Sequence, residues 1–126
     1  AASAIAPPHP VSFGRDNMSG SADEIRSEVT DDGIARIAFN RPEVANAVRP
    51  STMEALCGAL DAAMTDPKVR AIVIGGTGRN FSAGADFGFL ESLLDAEMAA
   101  VNDSLYTWFK GATERLWRCP KPTVAA

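Results

Sequence analysis

Val69-Arg70-Ala71-Ile72-Val73-Ile74-Gly75-Gly76-Thr77-Gly78-Arg79-Asn80-Phe81-Ser82-Ala83-Gly84-Ala85-Asp86 is the stretch on which the reading of this chain turns. Its first part, Val69 with Ala71 to Ile74, is a continuous apolar run between Pro67 and Gly75. That run is too short for a core helix and suits a strand buried on both faces. Glycines then turn the chain, and small side chains continue through Ser82-Ala83-Gly84-Ala85. Small residues after a buried strand let a ligand approach backbone N–H and C=O groups closely. If a helix follows, its free N–H groups face the same space, a geometry suited to a developing oxyanion. The plain alternative is that the glycines only turn the chain. Two phosphate-binding patterns fail outright. No Gly precedes a Lys as a Walker loop requires, and Phe81 stands where a dinucleotide fingerprint needs its third Gly.

Upstream, Ile25 and Val29 mark a strand, and Thr30-Asp31-Asp32-Gly33 supplies a turn. Ile34, Ala35, Ile37, Ala38 and Phe39 form a second strand that Asn40-Arg41-Pro42 ends. Pro50 and Ser51 announce a helix, and Ser51 with Glu54 has the spacing of a capping box. Met53, Leu56, Cys57, Leu60 and Met64 recur at helical spacing until Asp66-Pro67 stops them. Downstream, Leu94, Met98, Val101, Leu105, Trp108, Ala112 and Leu116 trace one face of a long helix closed by Pro120 and Pro122. Thr123 to Ala126 opens a last strand, expected to lack a partner or a following element within the chain. The order reads as a partly parallel α/β sheet with helices against it.

Composition narrows the function. The chain has 126 residues, 46% of them hydrophobic, and no run near the ~18 apolar residues of a membrane span. The net charge of −4 is concentrated in Asp23, Glu24, Glu28, Asp31 and Asp32, which face only Arg26. With no basic stripe or tail, a nucleic-acid or anionic-membrane partner is not expected. His9 is the only histidine, so neither a zinc site nor a Ser-His-Asp triad is expected. Cys57 falls on the apolar face of its helix and reads as a buried free thiol; with Cys119 it fits a reducing, cytoplasmic compartment. Residues 1–22 carry no period and no secretory pattern, and read as a disordered tail or upstream extension. The folded domain is expected over 23–126.

Four segments, in order, carry a family likeness: Ile37 to Ala47, Asp66 to Ile74, Gly78 to Asp86, and Pro120 to Ala126. Together they resemble the enoyl-CoA hydratase/isomerase, or crotonase, family. The resemblance implies a crotonase-like (ClpP/crotonase) ββα spiral, present as its N-terminal portion and ending before the second oxyanion-hole segment. It implies an acyl-CoA-processing enzyme of fatty-acid metabolism, a lyase or isomerase, in which a thioester enolate is stabilised by an oxyanion hole. Ala85 would offer its backbone N–H to the thioester oxygen. Val44, Ala45, Ala47, Ala83, Gly84, Ala85, Asp86 and Phe87 would line bound coenzyme A, with Asp86 more structural than catalytic. Coenzyme A enters as part of the substrate, with no prosthetic group and no metal.

Phe87, Phe89, Leu90, Leu93 and Leu94 would face a hydrophobic acyl group, or simply pack. Glu91, Asp95, Glu97 and Asp103 read as a solvated face rather than catalytic acids. The resemblance further implies a homotrimer or hexamer, or a second polypeptide completing the fold, and a chain that is inactive alone. The alternative from another class is a non-catalytic CoA-binding or assembly module.

Overall fold

Residues 24–126 are described by a computed structural model. The reading of residues 1–22 as a tail, and the placing of Asp23 at the start of the domain, lie outside the described residues. Strand β1 (Ile25–Val29) and strand β2 (Ile34–Phe39) form an antiparallel hairpin with Ile25 opposite Phe39. Gly33 makes the turn at φ 84°, where a Cβ would also sit 2.7 Å from the Lys68 carbonyl oxygen. Helix α1 (Pro50–Thr65) crosses to β3 (Ala71–Gly76), which runs parallel to β2. A second crossover carries α2 (Phe87–Leu94), α3 (Met98–Ser104), a π-helical stretch at Leu105–Lys110, and α4 (Gly111–Trp117). Strand β4 (Thr123–Ala125) closes a sheet ordered β1-β2-β3-β4.

The core lies where α1 covers one face of the sheet. Ile37, Leu60 and Ile72 are fully buried there, with Leu56, Cys57 and Ala112 beside them. Cys57 is a buried free thiol, as its helical position implied, and burial pushes its pKa up. Helix α4 packs on α1 through Ala112, and Arg115 pairs with Asp61 at 2.8 Å. Lys121 reaches back to the end of α1, donating to the carbonyls of Ala63 at 2.8 Å and Asp66 at 2.7 Å. The Ala63 carbonyl would look to Pro67, which has no N–H, and the Asp66 carbonyl already accepts from Val69 N–H. The cation satisfies the first, adds to the second and suits the helix dipole.

Four expectations need correction. β3 is not buried on both faces: Ile72 and Ile74 are buried, but Ala71 and Val73 on the opposite face are half-buried. The last strand does have a partner, since Thr123, Val124 and Ala125 pair in parallel with Ile72, Val73 and Ile74. Helix α1 is capped two residues earlier than the Ser51–Glu54 spacing implied. Pro50 takes the first helical position, Arg49 is the cap residue, and its N–H donates to Thr52 Oγ1 at 3.3 Å. The Ser51 hydroxyl is drawn instead to Glu24, donating to Oε1 at 3.1 Å.

The long downstream helix is broken, and this fourth correction has a geometric cause. Leu94 is 84% and Met98 74% exposed, on opposite sides of the interruption at Asp95–Glu97. The π-helical turn then inserts a residue into the helical phase. Trp108 and Phe109, adjacent in sequence, therefore both pack against the core, and Phe109 stacks on Phe89 of α2 with ring centroids 6.3 Å apart.

Candidate functional site

The loop after β3 is shaped by two long-range anchors. A Cβ on Gly76 would sit 2.2 Å from the Asn80 carbonyl oxygen and 2.5 Å from that of Phe81, so the chain folds back directly over this residue. No other side chain fits. Thr77 secures the same point, its N–H donating to Phe39 O at 2.8 Å and its hydroxyl to Asn40 Oδ1 at 3.1 Å. Phe81 closes against Phe39 edge to face at 5.6 Å.

The second anchor is Asn46, which is 1% exposed and left-handed at φ 57°. Asn tolerates that conformation better than most residues. Its Nδ2 donates to Thr77 O at 2.9 Å and Asn80 O at 2.7 Å, while its Oδ1 accepts from the Arg41 N–H at 2.8 Å. The Ser82 hydroxyl donates to its carbonyl at 2.8 Å. One buried amide thus ties the 41–48 segment to the glycine loop.

These anchors lay two extended pieces of chain side by side. Ala83 N–H donates to Ala45 O at 2.9 Å, Val48 N–H to Gly84 O at 2.8 Å, and Asp86 N–H to Val48 O at 2.7 Å. Val48 and Ala85 are thereby bridged in parallel. In such a ladder the residue opposite the bonded one turns its own N–H and C=O the other way. Gly84 N–H is taken by Ser82 Oγ at 3.1 Å. From Ala83 to Asp86, the Ala85 N–H alone has no acceptor among the described residues, and Ala85 is exposed.

Asp86 begins α2. Its Oδ1 accepts from Phe89 N–H at 3.1 Å, capping the helix, and its Oδ2 pairs with Arg41 Nη1 at 3.0 Å. The same Nη1 donates to Ala47 O at 2.8 Å. The Phe89 amide, then Arg41, hold the Asp86 carboxyl below the usual carboxylate range. It is an ionised, half-buried capping residue.

The candidate residues read from the sequence come together here. Val44 is exposed, Ala45 is half-buried and left-handed at φ 52°, and Ala47 is buried with its carbonyl held by Arg41. Ala83, Gly84 and Ala85 lie exposed along the facing segment, and Phe87 follows Asp86 at 74% exposure. Leu90 and Leu94 continue an exposed stripe on α2, whereas Phe89 and Leu93 are half-buried. Glu91, Asp95, Glu97 and Asp103 are all exposed. The roles of Arg41 and Asn46 escaped the sequence reading. Only the presence of an Asn in the loop that follows Arg41-Pro42 hinted at them. Among the described residues no group of three His, Cys, Asp or Glu side chains could hold a metal ion. Among the described residues no helix is long and apolar enough to cross a membrane.

A partly parallel sheet whose third strand ends in this glycine loop and an outward-facing amide has the α/β crotonase fold, in part. The chain belongs to the enoyl-CoA hydratase/isomerase family, whose model matches residues 29–126. A Thermus thermophilus protein, assigned by its name to the enoyl-CoA hydratases, is 41% identical over 98 residues, covering 74% of this chain and 36% of its own length. The trans-2-decenoyl-[acyl-carrier-protein] isomerase of Streptococcus mutans is 31% identical over 94 residues, again covering 75% and 36%. The crystal structure of an enoyl-CoA hydratase/isomerase from Xanthobacter autotrophicus superposes with a TM-score of 0.76 at 36% identity, over 84% of this chain and 39% of that one. This chain therefore spans little more than a third of the relatives it matches, and corresponds to their N-terminal portion.

Proposed function

We propose that this chain supplies one oxyanion donor and part of the coenzyme A wall of an acyl-CoA-processing enzyme, a lyase or isomerase of the enoyl-CoA hydratase kind. The observation that carries this reading is the Ala85 N–H, exposed and unclaimed between amides that are all engaged. When a thioester carbonyl gains enolate character, negative charge grows on its oxygen. A donor already held in place strengthens its bond at that moment without reorganising, which lowers the barrier. A backbone donor needs no side chain, so alanine serves. Val44, Ala45, Ala47, Ala83, Gly84, Asp86 and Phe87 form the wall against the coenzyme, which arrives as part of the substrate. The Ala83 N–H is spent on Ala45, leaving only the carbonyl of Ala83 for the ligand. The exposed stripe of Phe87, Leu90 and Leu94 offers apolar surface to an acyl chain or to a neighbouring subunit of a trimer. Two free thiols suit a cytoplasmic setting.

The test replaces the peptide bond between Gly84 and Ala85 by an ester in the full-length gene product. This exchanges the donor N–H for an oxygen, keeps the shape and weakens Gly84 O as the acceptor of the Val48 N–H. Hydration of crotonyl-CoA should slow by ~10²–10³, while calorimetry gives unchanged affinity for free coenzyme A. Parental turnover would remove Ala85 from the mechanism. A parental protein that binds coenzyme A but leaves crotonyl-CoA untouched would favour the non-catalytic binding module.

A further inference from the structure

An oxyanion forming at the Ala85 N–H has a carboxylate on the very next residue. Asp86 is ionised, and an uncompensated negative charge so close would oppose the charge that the amide is there to stabilise. Arg41 answers that problem. We propose that Arg41 is a positioning residue that acts through Asp86, cancelling its charge beside the Ala85 N–H while pinning the turn that aims it. This role rests on the reading of Ala85 above. The pair is well formed, Nη1 to Oδ2 at 3.0 Å, with side chains only 13% and 17% exposed. The same nitrogen holds Ala47 O, one residue before the Val48 that binds both Gly84 and Asp86. Arg41 thus grips both sides of the ladder from which the amide projects. Arg49 also feels the charge of Asp86, but it is half exposed and already bound by Glu24. Asp86 shares its oxygens cleanly, one capping α2 and the other facing Arg41.

The experiment compares Arg41→Gln, Arg41→Lys and the double variant Arg41→Gln with Asp86→Asn, in the full-length gene product assayed with crotonyl-CoA. Gln carries no charge and ends well short of Nη1, so both Gln variants lose the Ala47 bond alike and the change at Asp86 isolates the charge. Asn can still cap α2. Arg41→Gln should lower kcat about tenfold or more with KM within about threefold, since the lost term belongs to the charged transition state. The double variant should recover most of that loss, and Arg41→Lys should stay within about threefold of the parent. A double variant as slow as Arg41→Gln, or a parental rate in Arg41→Gln, overturns charge compensation. If Arg41→Gln does not fold, the double variant decides alone: folded and fast supports the proposal, folded and slow or unfolded overturns it. The ester at Ala85 separates the two readings. A slow ester with an indifferent Arg41 sinks only this inference, whereas a parental ester sinks the site itself.

Discussion

The clamp that joins residues 41–48 to 76–86 and the helical run from 87 to 117 are built on different physics. The clamp is polar. Its two segments, far apart in sequence, are locked by Asn46, by Arg41 with Asp86, and by backbone bonds on both sides of Ala85. The helical run is held by apolar contacts at scattered points, chiefly Ala112 in the core and the Phe89–Phe109 stack, and leaves Phe87, Leu94 and Met98 exposed. Placing a donor to within a fraction of an ångström needs directional bonds, which the clamp supplies. A wall for a coenzyme or acyl chain needs only area and shape. The two regions should therefore respond differently to substitution.

Gly76→Ala should break the clamp most completely. With carbonyl oxygens 2.2 and 2.5 Å from the new Cβ, it should cost more than about 4 kcal/mol. Phe89→Ala on the helical side should cost only about 1–2 kcal/mol, because its ring is half-buried and loses one stacked partner. Urea unfolding of the two variants reads the contrast directly. A Gly76→Ala protein as stable as Phe89→Ala would mean that the loop yields easily and holds nothing in register.

A smaller effect belongs to Glu24, which ties the entry to β1 to the N-terminus of α1. Its carboxylate accepts from Arg49, Thr52 and Ser51. Burial alone would raise its pKa, but these bonds and the charge of Arg49 outweigh it and hold the value below the ordinary 4.5. A folded-state pKa below the unfolded one stabilises the fold above pH 4.5, and that stability is lost as pH falls through the lowered value. Glu24→Gln should thus be less stable than the parent at pH 7 by about 0.5–1 kcal/mol in urea unfolding. The gap should close as the pH falls from 4.5 through the lowered value. A gap that persists once the carboxylate is protonated would show that its charge is not what holds α1.

Most of the framework was legible because it is local. The hairpin at Gly33, the apolar run of β3 and the helical period of α1 are all patterns of neighbouring residues. The clamp was only half legible. The small residues from Ser82 to Ala85 pointed to a backbone site, but nothing local pairs Arg41 with Asp86, or Asn46 with carbonyls beyond β3. Such partners are chosen by the folded topology. The cap of α1 slipped because Glu24, distant in sequence, captures Ser51. The helical run misled for another reason: one extra residue in a π turn shifts the apolar face, and a strict 3.6 period cannot register it.

The Ala85 amide proton itself is the most direct witness. In the ¹⁵N-labelled full-length gene product, butyryl-CoA serves as a saturated thioester with no double bond to react. As it is titrated in, the Ala85 amide proton should move strongly downfield as the thioester oxygen replaces solvent as its acceptor. The amides of Ala83, Gly84 and Asp86, already bonded, should move far less. An Ala85 resonance that stays in place while the thioester binds would contradict the account at its centre.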